Sequence, residues 1–233
     1  MKVIAINGSP RMEKGYTALI LTPFIHRMID AGSEVKLFYA RRLKVKPCTC
    51  GEMYCWYKKA GECCIKDDMQ LLYPKLKGAD ILILATPVYI PLPGEMQNFI
   101  NRLCPLIDPL LENCEGRTRA RFHKQVKIRK IVLLSNGGWW EKANFETVVR
   151  IIEELAKDAS VEFAGAVLRP HASLMKEKGK LTKDGEAILN KVKRAGYELI
   201  KEGVMNKEIL DAISCPLISE EELRRRYNNA LLK

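Results

Sequence analysis

Two stretches of this chain, Ile81-Leu82-Ile83-Leu84-Ala85 and Ile131-Val132-Leu133-Leu134, are apolar at every position. A strand with one wet face alternates apolar and polar residues, so an unbroken apolar run must be covered on both sides. Strand-like runs recur at Lys2–Ile6, Glu34–Tyr39, Ile81–Thr86, Ile128–Ser135 and Ser160–Leu168. Helical periodicity fills the gaps at Thr17–Ala31, Met69–Lys77, Glu95–Cys104 and Asn144–Lys157, and again at Asp184–Lys201. Strands alternating with helices predict an α/β chain, a parallel sheet with helices on both faces.

Five strands in this arrangement fit the flavodoxin-like three-layer sandwich, a five-stranded parallel sheet of order 2-1-3-4-5. Its ligands bind at the carboxyl ends of the strands, where the strand order reverses. Residues 1–205 read as this domain, with a Cys-rich loop insertion at 48–66, and 206–233 as a C-terminal helical tail. In the tail, Pro216 and then Ser219-Glu220-Glu221-Glu222 mark the start of a short capped helix. It is expected to pack back on the domain or on a second subunit. The 233 residues suffice for a substantial core. No apolar run is long enough to span a bilayer and no signal peptide opens the chain, which reads as cytoplasmic with no membrane partner. The net charge of +11 raises the question of nucleic acid. Lys and Arg are scattered over predicted helix faces rather than gathered with interleaved aromatics, and the dense exceptions, Arg117 to Lys130 and Arg224-Arg225-Arg226, read as solvated surface or the mouth of an anionic cofactor site.

The loops after strands one, three and four should therefore carry the chemistry. The first strand breaks into Asn7-Gly8-Ser9-Pro10-Arg11, and Gly15-Tyr16-Thr17 opens the first helix. Helix-start N–H groups lack internal partners and favour an anion, while Ser9, Thr17 and Arg11 add side-chain donors. Neither G-x-x-x-x-G-K-[ST] nor G-x-G-x-x-G is present. The loop thus points to a monophosphate such as FMN, the alternative being an ordinary strand-to-helix turn. After strand three comes the proline-stiffened Thr86-Pro87-Val88-Tyr89-Ile90-Pro91-Leu92-Pro93-Gly94, and after strand four Ser135-Asn136-Gly137-Gly138-Trp139-Trp140. Paired glycines admit close backbone approach, and aromatic side chains at strand ends suit a flat cofactor.

With these loops in place, the chain resembles the NADPH-dependent FMN reductase and iron-sulfur flavoprotein family. The resemblance rests on Gly8-Ser9-Pro10-Arg11 with Gly15-x-Thr17, and on Cys63-Cys64-Ile65-Lys66-Asp67-Asp68-Met69. It continues through Thr86-Pro87-Val88-Tyr89 with Gly94-x-x-x-x-Phe99-x-x-Arg102, and ends at Ser135-Asn136-Gly137-Gly138-Trp139-Trp140-Glu141. It implies FMN phosphate contacts from Ser9, Arg11, Gly15 and Thr17. Pro87, Val88 and Tyr89 would then lie along the isoalloxazine, with Asn136, Gly137, Gly138 and Trp139 on the other side. Tyr16 stands where the family has a small polar residue and is left off the phosphate set. The resemblance also implies a homodimer or homotetramer in which a neighbouring subunit covers the flavin edge.

Eight cysteines are present, and Cys48, Cys50, Cys55, Cys63 and Cys64 fall within seventeen residues. Relatives that carry a [4Fe-4S] cluster show a compact run of four cysteines; by that resemblance Cys48, Cys50, Cys55 and Cys63 are the candidate ligands. Two other readings stand beside it: a cluster-free loop with buried thiols or a disulfide, and a structural zinc site. Cys104, Cys114 and Cys215 read as small buried hydrophobes. Asp67-Asp68 read as helix-capping residues. His26, His123 and His171 are isolated in sequence, and no catalytic nucleophile or acid–base pair is apparent. Flavin chemistry requires none. The expected function is an FMN-binding oxidoreductase taking a hydride from NAD(P)H to a flavin, a quinone or a redox-protein acceptor. An electron-carrying iron-sulfur flavoprotein is the alternative within the fold, and a non-enzymatic flavin- or nucleic-acid-binding module the alternative outside it.

Overall fold

The computed structural model describes residues 1–51, 53–114 and 116–232. Five parallel strands form one sheet: β1 (Lys2–Asn7), β2 (Glu34–Tyr39), β3 (Ile81–Pro87), β6 (Lys130–Asn136) and β7 (Glu162–Arg169). Their spatial order is β2-β1-β3-β6-β7. The numbering skips because β4 (Ile107–Cys114) and β5 (Arg117–Phe122) form an antiparallel hairpin of their own. The parallel sheet has the five strands the sequence predicts, and the hairpin is an addition outside it. Its strands carry few buried side chains, so no apolar run announces them. A main-chain ladder joins its strands, Ile107, Ala120 and Phe122 seat it on the first core, and ion pairs flank it: Arg121 with Glu112, and Arg119 with Glu154 and Asp158. Arg117, Arg119 and Arg121 of the basic stretch thus stand in ion pairs.

Pleating sends alternate residues of each central strand to opposite faces. Ile4, Ile6, Leu82, Leu84, Ile131 and Leu133 enter one core, facing α3 (Met69–Lys77), α4 (Gly94–Asn101) and α5 (Glu146–Asp158). Val3, Ala5, Ile81, Ile83, Val132 and Leu134 enter the other, facing α1 (Tyr16–Asp30) and α6 (Lys183–Lys201). Both faces are therefore covered, as the unbroken apolar runs demand. Burying each such aliphatic side chain contributes about 1.5–3 kcal/mol. The α1–α6 contact depends on Gly196, where a Cβ would strike the carbonyl of Phe24.

The tail holds two helices rather than one. In α7 (Lys207–Ser214), Ile209 and Ile213 join the second core, and the Ser214 hydroxyl donates to the Leu168 carbonyl at the end of β7. Ser219 caps α8 (Glu220–Leu231) through the Glu222 N–H, and Leu223 is that helix's buried residue. Among the described residues no helix is long and apolar enough to cross a membrane.

Candidate flavin site and the cysteine-rich segment

A cavity of about 320 Å³ opens where β1, β3 and β6 end. Its walls come from Ser9, Arg11, Tyr16 and Thr17 of the first loop, Pro87, Val88 and Tyr89 of the second, and Asn136, Gly137 and Gly138 of the third. Main-chain bonds fix the three loops relative to one another. Gly8 N–H donates to Ala85 O (2.7 Å), Val88 N–H to Asn136 O (2.9 Å) and Gly137 N–H to Arg169 O (3.1 Å). Thr17 Oγ1 donates to Asn136 Oδ1 at 2.6 Å, joining the first loop to the third through buried side chains. A wider groove of about 930 Å³ runs between α1 and α6. Neither the second nor the third loop lines it, so the smaller cavity is the candidate site.

The first loop is shaped for an anion. Ser9 is buried; its N–H is held by Asn7 Oδ1, and its hydroxyl accepts from Arg11 N–H. Gly15 precedes α1 and supplies no capping side chain, so the first-turn N–H groups of α1 face the loop uncapped. A Cβ at Gly15 would lie 2.7 Å from Ser9 Oγ, which explains the glycine. Uncapped helix donors beside two hydroxyls and an arginine are a donor set that fits a phosphate monoester. Exposed Tyr89, Ile90 and Trp139 near the opening fit a planar apolar ring system.

Of the residues singled out from sequence, Gly15 and Trp139 are not among those lining the cavity. Trp139 instead stacks on Tyr227 of α8, ring centroids 6.4 Å apart at 21°. Tyr16, set aside from sequence, does line the cavity, together with Ala172, Ser173 and Tyr227. Tyr227 carried no sequence signal: it lies almost 90 residues past the third loop. Its hydroxyl lies 3.3 Å from where a Gly138 Cβ would stand, and Trp140 Nε1 donates to Ile218 O to anchor the approach to α8.

Behind the third loop lies a buried cation. Arg169 donates to the carbonyls of Pro170, Ile213 and Cys215 and to His171 Nε2. Burial pulls its guanidinium down to about 10. His171 is wholly buried, and burial and then the Arg169 charge push its pKa down to about 4, so it stays neutral. It braces the loop, its N–H donating to Trp139 O while its Nε2 accepts from Leu217 N–H.

The cysteines occupy a different part of the molecule. Between Leu43 and Met69 the described residues hold one short helix, α2 (Tyr54–Tyr57). The segment is tied down by side chains, above all Arg102, whose guanidinium is 1% exposed. It grips both Asp67 oxygens (2.6 and 3.1 Å) and donates to Lys46 O, Ile65 O and Cys63 Sγ. Burial raises the Asp67 pKa, but hydrogen bonds from Arg102 and from the Lys46 and Met69 N–H groups outweigh it and hold the carboxyl below its usual range. Asp68 does not cap α3; it accepts from Lys44 N–H, while Asp67 takes Met69 N–H.

The thiols of Cys48, Cys50, Cys55 and Cys63 stand in different local settings. Among the described residues no three Cys, His, Asp or Glu side chains are arranged to hold a metal ion. Cys48 and Cys50 pair at 3.4 Å, and Cys63 takes its hydrogen bond from Arg102. Cys55 donates to Cys104 at 3.7 Å, a residue that the sequence gives no reason to place beside the loop. That donation holds the Cys55 thiol well above its ordinary pKa and draws Cys104 below it.

A doubly wound α/β sheet with an anion cradle and an aromatic-rimmed cavity at its switch point defines a flavodoxin-like flavoprotein. The family described as NADPH-dependent FMN reductase matches residues 1–123, and the protein belongs to it. An iron-sulfur flavoprotein of Archaeoglobus fulgidus is 40% identical over 88 residues, covering 37% of this chain and 42% of the relative. One from Methanocaldococcus jannaschii is 39% identical over 89 residues, 38% of this chain and 43% of its own. The chain thus spans less than half the length of these two curated relatives. Among solved structures, an NAD(P)H:quinone oxidoreductase from Methanothermobacter marburgensis superposes with TM-score 0.58 at 18% identity, over 85% of this chain and 96% of that one. An azoreductase from Bacillus anthracis superposes with TM-score 0.59 at 12% identity, over 87% and 99%. Both likenesses are of fold.

Proposed function

We propose that the protein is an FMN-binding oxidoreductase that takes a hydride from NAD(P)H and passes electrons to a flavin, a quinone or a redox-protein acceptor. The observation that carries this reading is the meeting of an uncapped helix start, a stiff Pro-Val-Tyr loop and a Gly-Gly loop on one cavity. Family membership and the quinone- and azo-reductase folds support it. Bound FMN supplies the hydride-accepting and electron-donating chemistry. The chain's task is to hold and orient. Ser9, Arg11, Thr17 and the α1 N–H groups take the phosphate. Pro87 to Tyr89 and Gly137-Gly138 flank the ring. Trp139 and Tyr227 keep water from the opening and offer a flat wall to a nicotinamide. No His, Asp or Glu is among the described residues lining the cavity, so no side chain there serves as a carboxylate or imidazole base.

The test is the absorption spectrum of the anaerobically purified protein, followed by NADH and NADPH oxidation with a quinone acceptor. Bound flavin with turnover is expected; a protein that neither retains added FMN nor oxidises either nucleotide sinks the reading. A second reading, an electron carrier with a [4Fe-4S] cluster, is favoured by the names of the relatives. Iron and acid-labile sulfide on the same sample separate the two. The family resemblance further supports a homodimer or homotetramer, checked by light scattering.

A further inference from the structure

We propose that Cys55 and Cys104 form a reversible dithiol–disulfide couple that fastens the cysteine-rich segment to the body of the fold. This stands independently of the flavin reading. The two sulfurs, 49 positions apart in the chain, lie 3.7 Å from each other with a direct S–H···S contact. A disulfide at about 2.05 Å needs them to close by only about 1.6 Å. Cys55 sits on α2, and Cys104 opens the 3-10 turn Cys104–Leu106 that follows α4. A second contact holds these pieces together, since Trp56 Nε1 donates to the Cys104 carbonyl at 3.3 Å. The α4 end is already where the segment is anchored, for Arg102 lies two residues before Cys104 and grips Cys63, Ile65 and Asp67. A bridge at Cys104 makes that anchorage covalent.

The other thiols are placed differently. Cys63 is taken by Arg102, and Cys64 and Cys215 are exposed. Cys48 and Cys50 are near each other, but a bond between them spans two positions and fastens nothing to the fold. Access is one-sided: Cys55 is buried, whereas Cys104 is partly open to solvent. A small-molecule disulfide therefore meets Cys104 first. The Cys104 thiolate attacks one sulfur of R–S–S–R, forming a mixed disulfide and releasing R–S⁻. The Cys55 thiolate then attacks the Cys104 sulfur, closing the bridge and releasing the second R–S⁻. Two protein thiols lose two electrons and two protons, and the reagent becomes two thiols.

The experiment equilibrates the protein as purified in anaerobic buffers of graded reduced-to-oxidised glutathione ratio. Free thiols are then trapped by alkylation and the peptides mapped by mass spectrometry. The expected result is a Cys55–Cys104 cross-link that grows with oxidised glutathione, consumes two thiols and disappears with dithiothreitol. Limited proteolysis within residues 44–68 should slow severalfold in the oxidised protein. Cys55→Ser should abolish the cross-link and leave glutathione on Cys104, and Cys48→Ser should change neither readout. A cross-link confined to Cys48–Cys50, or eight free thiols in every buffer, overturns the proposal. So does stoichiometric iron and sulfide that is lost in both Cys55→Ser and Cys104→Ser.

Discussion

The flavin-site end of the sheet and the cysteine-rich segment are built on opposite plans. Main-chain hydrogen bonds between strand ends position the cavity, so its geometry follows from the register of β1, β3, β6 and β7. The segment from Leu43 to Met69 has almost no ladder or helix to lean on. It is held by a few side chains, with Arg102 at the centre. A backbone-built site tolerates changes in side chains as long as the strands form. A side-chain-built region depends on single residues.

The largest expected effect tests that dependence directly. Arg102→Met leaves Asp67 buried without its cation, and removing one partner of a buried pair costs about 3–5 kcal/mol. Urea unfolding should show that loss, and protease should cut within 44–68, while any remaining folded protein keeps its FMN. A loss below about 1 kcal/mol would mean the segment has supports beyond Arg102.

Acid should separate the two regions by pH window. Unfolded His171 binds a proton below its ordinary pKa of about 6.5, whereas the folded residue stays neutral down to about 4. Its contribution is complete above about pH 6.5 and is lost as pH falls toward 4, at most roughly 3 kcal/mol. Asp67, with its lowered pKa, acts later: its contribution is present above the ordinary carboxylate range and is lost as pH falls through the folded value beneath that range. Stability measured against pH should therefore decline in two stages, and His171→Gln should flatten the first. A single stage unaffected by that substitution would contradict the assignment.

Smaller effects belong to the cavity. Ser9→Ala combined with Arg11→Ala removes charge-assisted donors and should weaken FMN binding about 10- to 100-fold while changing stability by under about 1 kcal/mol. Titration by flavin fluorescence reads this, and unchanged affinity would place the phosphate elsewhere. Tyr227→Ala breaks the ring pair with Trp139, worth about 0.5–1.5 kcal/mol. A rise of up to about tenfold in the nicotinamide KM, with kcat nearly kept, is the expected kinetic pattern.

The same contrast explains what could be read from the residues alone. Ile81–Ala85 and Ile131–Leu134 announce central strands because both faces of the sheet are covered, and strand ends then locate the loops at Ser9, Pro87 and Asn136. The β4–β5 hairpin has no such signal, since its strands are mostly exposed and bury only scattered residues such as Ile107 and Phe122. Tyr16 was set aside because its size argued against a phosphate contact, yet a wall residue needs only to be near. Cys104 looked like packing because spacing within a loop says nothing about what the fold brings against it. Tyr227 was unreadable for the same reason: its place depends on α7 docking and on Trp140 holding Ile218.

The cavity draws its walls from residue 9 to residue 227. During synthesis the phosphate loop and both flanking loops leave the ribosome long before α8. A nascent chain can thus assemble the sheet and offer a half-open cleft while the wall carrying Tyr227 is still being made. Flavin capture should accordingly tighten only as α8 emerges. The amino end of β1 lies at the opposite end of the strands from the cavity.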